Sequence, residues 1–212
     1  RLPIEGKSVV ISTGMATVEE IKAALAVLEN NGMQKKEITI LHCNTEYPTP
    51  YEDVNLNAFY QLKELFSDYN LGFSDHSAGY FAGLAAVPYG ITFIEKHFTL
   101  NKNFEGPDHK ASVTPEELKL LCEGIRAVEK SLGSSEKMVT ASEAKNKIVA
   151  RKSIIAACPI KKGEIYTTEN LTTKRPGNGI SPMFWYELLG KEAEMDFEED
   201  QLIQDSRFQN QE

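Results

Sequence analysis

Apolar and polar positions along the first part of the chain follow a repeating order. A short apolar run comes first, then an amphipathic stretch of helical period. Ser8–Thr13 (SVVIST) is the first run, and the spacing predicts a helix after it from Val18 to about Asn30. Ile21, Ala24, Val27 and Leu28 form its apolar stripe, Thr17 and Glu20 have capping-box spacing, and Gly32 stops it. Ile38–Cys43 (ITILHC) is the second run, and a Pro-rich loop leads from it to a predicted helix near Asn55–Phe66 with Leu56, Phe59, Leu62 and Phe66 as its stripe. LGFSDH and ITFIEKHF are the third and fourth runs, separated by a short predicted helix around Gly79–Val87. A long loop then precedes a helix over Pro115–Leu132, with Thr114 as N-cap, Pro115 at the first position and Glu117 reaching back.

This alternation reads as βα units around a parallel sheet, with strand ends near residues 13, 43, 76 and 98. From Gly133 the texture changes. Gly133–Asn146 is polar and reads as a linker, followed by short β-like runs (KSIIAACPI, EIYTTENLTT), then KRPGNGI and the amphipathic FWYELLG. The expected organisation is an α/β domain over 1–132, a linker over 133–146 and a small β-rich domain over 147–212.

The 212 residues carry a formal charge of −8 with no dense basic cluster, which argues against nucleic-acid binding. No apolar run approaches the ~20 residues of a membrane helix. Three widely spaced cysteines, Cys43, Cys122 and Cys158, suit buried reduced thiols of a cytoplasmic protein. The chain begins at Arg1, almost directly on a strand, which suggests a piece of a longer protein.

In parallel α/β folds functional groups gather at the carboxyl ends of strands. His76 and His97 close consecutive runs there. Two imidazoles on neighbouring strands, ~4.8 Å apart, can share one divalent metal. The competing reading is that each is bonded to a backbone carbonyl. Parity puts Ser74 on the face of His76 and Glu95 on that of His97; Cys43, Thr45 and Tyr47 share a face if the second strand stays extended. Asp108, in the loop FEGPDHKAS, could accept hydrogen bonds from a polyhydroxyl ligand or merely cap a turn. Lys96 and Lys110 could bind an anion, or be solvated. His42 and His109 read as structural. In KRPGNG, Gly177 and Gly179 permit unusual backbone angles and Pro176 stiffens the turn, so Arg175 could clamp an anion or sugar hydroxyls; an ordinary surface loop is the alternative.

STGMA, HCNTEYPTPYEDVNL, GFSDHSAG, IEKHFTL, GPDHKAS and KRPGNG, in this order, resemble the N-acetylneuraminate (sialic acid) synthase family, which includes legionaminic and pseudaminic acid synthases. The resemblance runs over essentially the whole chain. It implies condensation of phosphoenolpyruvate with N-acetylmannosamine or a related N-acyl amino sugar, with release of phosphate. It implies a (β/α)₈ TIM barrel followed by an antifreeze-like (SAF) domain, and a divalent metal held by His76 and His97. Manganese is the first choice, with magnesium and cobalt as alternatives. It further implies that Ser74 and Thr45 contact phosphoenolpyruvate, Thr45 standing where relatives often carry Asn or Ser. Tyr47 and Asp108 contact the sugar, and Arg175 enters the active site of the partner subunit in a domain-swapped homodimer. Only four βα units are legible, which would be the fifth to the eighth, so the chain is expected to be the C-terminal half of a barrel and inactive alone. A non-catalytic sugar-binding module is the alternative. A Schiff-base aldolase using pyruvate ranks below both, because Lys96 has the wrong parity relative to His97.

Overall fold

A computed structural model describes residues 7–208. The chain divides into two compact units, 1–134 and 135–212.

The first unit is one parallel sheet of four strands, β1 (Val9–Ser12), β2 (Ile38–Cys43), β3 (Asn70–Asp75) and β4 (Phe93–Lys96), paired in that order. Helices α1 (Val18–Asn30), α2 (Tyr51–Val54), α3 (Ala58–Leu65) and α4 (Phe81–Ala86) connect them, and α5 (Pro115–Leu132) follows β4. This is the expected half-barrel of four βα units. Helices α1 and α5 run over the predicted residues because both capping boxes form: Thr17 with Glu20, and Thr114 with Glu117. The helix expected near Asn55–Phe66 is α3, which starts only at Ala58, and an unforeseen short helix α2 precedes it, ended by Asn55 in a left-handed conformation (φ 49°).

Only one face of the sheet is covered by helices. Ile38 and Ile40 of β2 and Leu71 and Phe73 of β3 pack into one buried cluster with Ile21, Leu25, Phe59, Leu62 and Ala86. On the other face Val10 and Phe93 are 42% and 41% exposed, since no helix among the described residues packs there. Gly72 lets that face close locally: a Cβ on it would lie 2.4 Å from Leu41 Cδ2 and 2.8 Å from the Phe93 carbonyl.

The second unit holds α6 (Ala141–Ala150), an antiparallel pair β5 (Ser153–Ala156) and β6 (Leu171–Lys174), and the short helix α7 (Trp185–Leu188). Isolated bridges Ile155–Leu202, Ile160–Phe197 and Ile165–Glu192 extend the β character. Ile154, Ile160, Tyr166, Leu188, Phe197 and Ile203 form its own core. Helix α6, exposed along its length, begins inside the stretch read as a linker, where Thr140 and Glu143 close a capping box. The thiols are also not as expected, since Cys122 and Cys158 are exposed and Cys43 is half-buried, all three free.

Candidate metal and substrate site

The site grows from the register of three strands. Cys43 is paired with Ser74, and Ser74 with Glu95. One residue beyond the ends of β3 and β4 the next inward positions are His76 and His97. Their ring centroids lie 5.1 Å apart at an interplanar angle of 73°. Tyr47 covers both, its ring centroid 4.2 Å from that of His76 and 5.4 Å from that of His97.

His76 is buried and oriented. Its Nδ1 lies 2.6 Å from the Asn44 carbonyl, which can only accept, so Nδ1 carries the proton and Nε2 keeps a free lone pair. That nitrogen faces Ser74 Oγ at 3.5 Å. The same carbonyl contact that would make the histidine structural also fixes the tautomer a metal ligand needs. His97 is more open, with Nδ1 3.9 Å from Asp108 Oδ2. A metal–nitrogen bond of ~2.1 Å places each ring centroid roughly 3 Å from the ion, so two ligand rings must lie within about 6 Å of each other. The observed pair meets that condition. No cluster of three or more His, Cys, Asp or Glu able to hold a metal occurs among the described residues. Any remaining ligands would come from outside the described residues, with water or substrate able to fill open positions.

Ser74 Oγ donates to Glu95 Oε1 at 2.7 Å, adding a carboxylate to the open face. Glu95 is the site residue the sequence did not single out; its parity was legible, its register against Ser74 was not. Cys43 Sγ lies 3.7 Å from His76 Nδ1, and burial pushes this thiol up. The Tyr47 phenol is also raised, by burial first and then by negative charge on Cys43, Asp108 and Glu95.

Thr45 is placed differently. The strand does not stay extended beyond Cys43: Glu46 N–H bonds Asn44 Oδ1, and the Tyr47–Pro48 peptide is cis. Thr45 packs toward β1, where a Cβ on Gly14 would meet its Cγ2 at 2.5 Å, and it makes no hydrogen bond among the described residues. Tyr47, Ser74, His76, His97 and Asp108 come together; Thr45 lies against Gly14 just past the end of β1, on the side of Cys43. Lys96 is removed from the open face altogether, buried against Asp75 on the helix side, so it is no anion ligand here. His42 and His109 are structural as expected, bonded to the Val54 carbonyl at 2.8 Å and to Thr99 Oγ1 at 2.8 Å.

Arg175 belongs to the second unit. It is exposed, and its Nε donates to the Ala150 carbonyl at 3.0 Å. The loop beside it is tightly held: Gly177 N–H donates to the Ile148 carbonyl at 2.7 Å, and Gly179 N–H to Ser153 Oγ at 2.9 Å. Neither glycine has a positive φ, which corrects the expectation of unusual backbone angles. They are required by close approach instead: a Cβ on Gly177 would sit 2.5 Å from Arg151 Cβ, and one on Gly179 2.9 Å from Leu202 Cδ2.

The NeuB family matches residues 2–137, the stretch that carries every one of these groups except Arg175. The chain belongs to the NeuB family. A SAF domain matches residues 151–209, including Arg175. Among NeuB-like relatives, N,N'-diacetyllegionaminic acid synthase of Campylobacter jejuni is 52% identical over 94% of this chain and 59% of its own length. Pseudaminic acid synthase of the same species is 38% identical over 96% of this chain and 58% of its own. The crystal structure of spore coat polysaccharide biosynthesis protein SpsE from Bacillus subtilis superposes with a TM-score of 0.56 at 34% identity, covering 97% of this chain and 62% of that one. The chain therefore spans about three-fifths of the length of the curated relatives it matches.

Proposed function

We propose that the protein containing this chain is a nonulosonic acid synthase, condensing phosphoenolpyruvate with an open-chain N-acyl amino sugar and releasing phosphate. The observation that carries the reading is the convergence of His76, His97 and Tyr47 at the carboxyl ends of β3 and β4. The likeness to the Campylobacter N,N'-diacetyllegionaminic acid synthase favours an acceptor with two acetamido groups over N-acetylmannosamine.

His76 and His97 would hold a divalent metal, manganese first, which when bound supplies a Lewis acid toward the sugar aldehyde. The methylene carbon of phosphoenolpyruvate forms the new bond to the aldehyde carbon; water adds at C2 and phosphate leaves. The chain's own groups bind and orient. The Asn44 carbonyl keeps the proton of His76 on Nδ1. Ser74, whose hydroxyl donates to Glu95 here, would turn that proton toward phosphoenolpyruvate when the substrate binds. Tyr47 provides an aromatic wall and Asp108 an exposed carboxylate for sugar hydroxyls. Thr45, beside Cys43, would contact phosphoenolpyruvate together with Ser74. Arg175 acts from the second domain on a partner's site, in a cytoplasmic domain-swapped homodimer. No helix among the described residues is long and apolar enough to cross a membrane.

The test is phosphate release by the full-length enzyme from phosphoenolpyruvate with N-acetylmannosamine, its 6-phosphate and the diacetamido sugar, each with and without chelator. Chelator-sensitive turnover of one sugar is the expected result. Sugar binding without phosphate release, indifferent to chelator, would leave the non-catalytic module standing instead.

A further inference from the structure

Behind the two imidazoles, on the helix-covered face of the sheet, lies a buried ion pair that substrate does not reach. Asp75 and Lys96 are register partners across β3 and β4, and each directly precedes one of the histidines. Lys96 Nζ is 3.1 Å from Asp75 Oδ2, with the side chains 3% and 1% exposed. The other carboxylate oxygen, Oδ1, accepts from Ser77 N–H at 2.9 Å and from Ser77 Oγ at 2.6 Å. Lys96 also donates to the Ser77 carbonyl. His76 is therefore flanked on both sides by residues fastened to Lys96, and Lys96 is the neighbour of His97. Beyond it, the His97 carbonyl accepts from Val113 N–H at 2.8 Å.

A buried ion pair adds little stability compared with apolar residues of the same volume. Its place here, at the two positions next to the site, gives it a different use. We infer that the Asp75–Lys96–Ser77 cluster is a positioning device that sets the separation and tilt of the His76 and His97 rings, and through them the affinity for a divalent cation. This rests on the metal reading above. Asp75, Lys96 and Ser77 touch no reacting atom; they act through the two strand ends, as outer partners of metal ligands do.

The experiment is a Mn²⁺ titration of the full-length protein followed by electron paramagnetic resonance, which separates free from bound ion without turnover. The variants are wild type, His76→Ala, and the double variant Asp75→Asn/Lys96→Met. The double variant removes both charges together, so no lone buried ion remains, and the asparagine keeps an acceptor for Ser77. Wild type binds one Mn²⁺ per site and His76→Ala does not; failure here overturns the metal reading itself. With that established, the double variant keeps its thermal midpoint within a few degrees and binds Mn²⁺ about 10- to 100-fold more weakly. Affinity within twofold of wild type in the folded double variant overturns the inference and leaves the metal site intact. Should the double variant not fold, Lys96→Arg decides: it keeps the charge but changes the reach, so weakened Mn²⁺ binding supports the positioning role and unchanged binding overturns it.

Discussion

The imidazole of His76 donates from Nδ1 to the backbone carbonyl of Asn44 at 2.6 Å, which turns Nε2 toward Ser74 on the open face of the sheet. Because the acceptor is backbone, the tautomer does not depend on any second side chain. His76→Ala and His97→Ala should each lower kcat of the full-length enzyme by more than ~10²-fold, the loss of several kcal/mol of transition-state stabilisation. Excess Mn²⁺ should not restore either. Steady-state phosphate release with matched circular dichroism checks this, and near-normal turnover in either variant would refute the ligand pair.

Tyr47 separates stacking from hydroxyl chemistry. Its ring lies against both imidazoles, and its phenol is raised above the ordinary value, so it stays protonated throughout the neutral range. Tyr47→Phe should keep most activity, whereas Tyr47→Ala should raise KM for the sugar by about tenfold as the wall is lost. Equal losses in both variants would move the weight to the hydroxyl.

Arg175 projects from a loop and gives its own unit one hydrogen bond, from Nε to the Ala150 carbonyl. Removing an exposed bond of that kind costs about 0.5–1.5 kcal/mol at most. Arg175→Ala should therefore raise KM for the sugar while shifting the thermal midpoint by only a few degrees. A loss of stability in proportion to the loss of affinity would make it a structural residue.

Gly177 gives the contrasting case two residues away. Alanine there places a Cβ 2.5 Å from Arg151 Cβ and 3.2 Å from the Arg151 backbone, which cannot yield as a flexible side chain does. Gly177→Ala should destabilise the second unit by about 1–3 kcal/mol. Trp185, the sole tryptophan, packs against the core of that unit, so its fluorescence reports this unfolding selectively.

What could be read from the chain follows from how local each signal is. Helices α1 and α5 were legible to the residue because capping boxes and stripes are local. The capping box of α6 was equally present, as Thr140 and Glu143, but its polar surroundings read as linker. The late start of α3 follows the left-handed Asn55, which periodicity does not register. Parity located Ser74, His76, Glu95 and His97 on one face. The pairings Ser74–Glu95 and Asp75–Lys96 need the cross-strand register, which is not a local property of either strand's sequence. Beyond Cys43 parity alone does not fix direction, because an asparagine turn ends the strand there and turn geometry orients Thr45 and Tyr47.

Asp205 links acid to the second unit. Its side chain is fully buried, and burial raises its pKa, but the Arg207 guanidinium and backbone N–H outweigh this and hold the carboxyl below its ordinary value. Nε and the backbone N–H of Arg207 approach Oδ1 at 2.7 and 3.0 Å. A carboxyl depressed in the folded state stabilises fully above its unfolded pKa, near ~3.9, and that contribution is lost as pH falls through the lower folded value. Arg207 is itself 37% exposed, so solvent screening limits the pair to about 1–3 kcal/mol. Urea unfolding followed at Trp185 should thus show stability falling below about pH 4 in wild type. Asp205→Asn should be weaker by that amount at pH 7 and lose less on acidification, the two curves converging once the pH has fallen through the lowered carboxyl. Parallel curves over the whole range would remove Asp205 as the titrating group and leave Glu194 and Asp196, also held low by their partners, to account for the acid sensitivity.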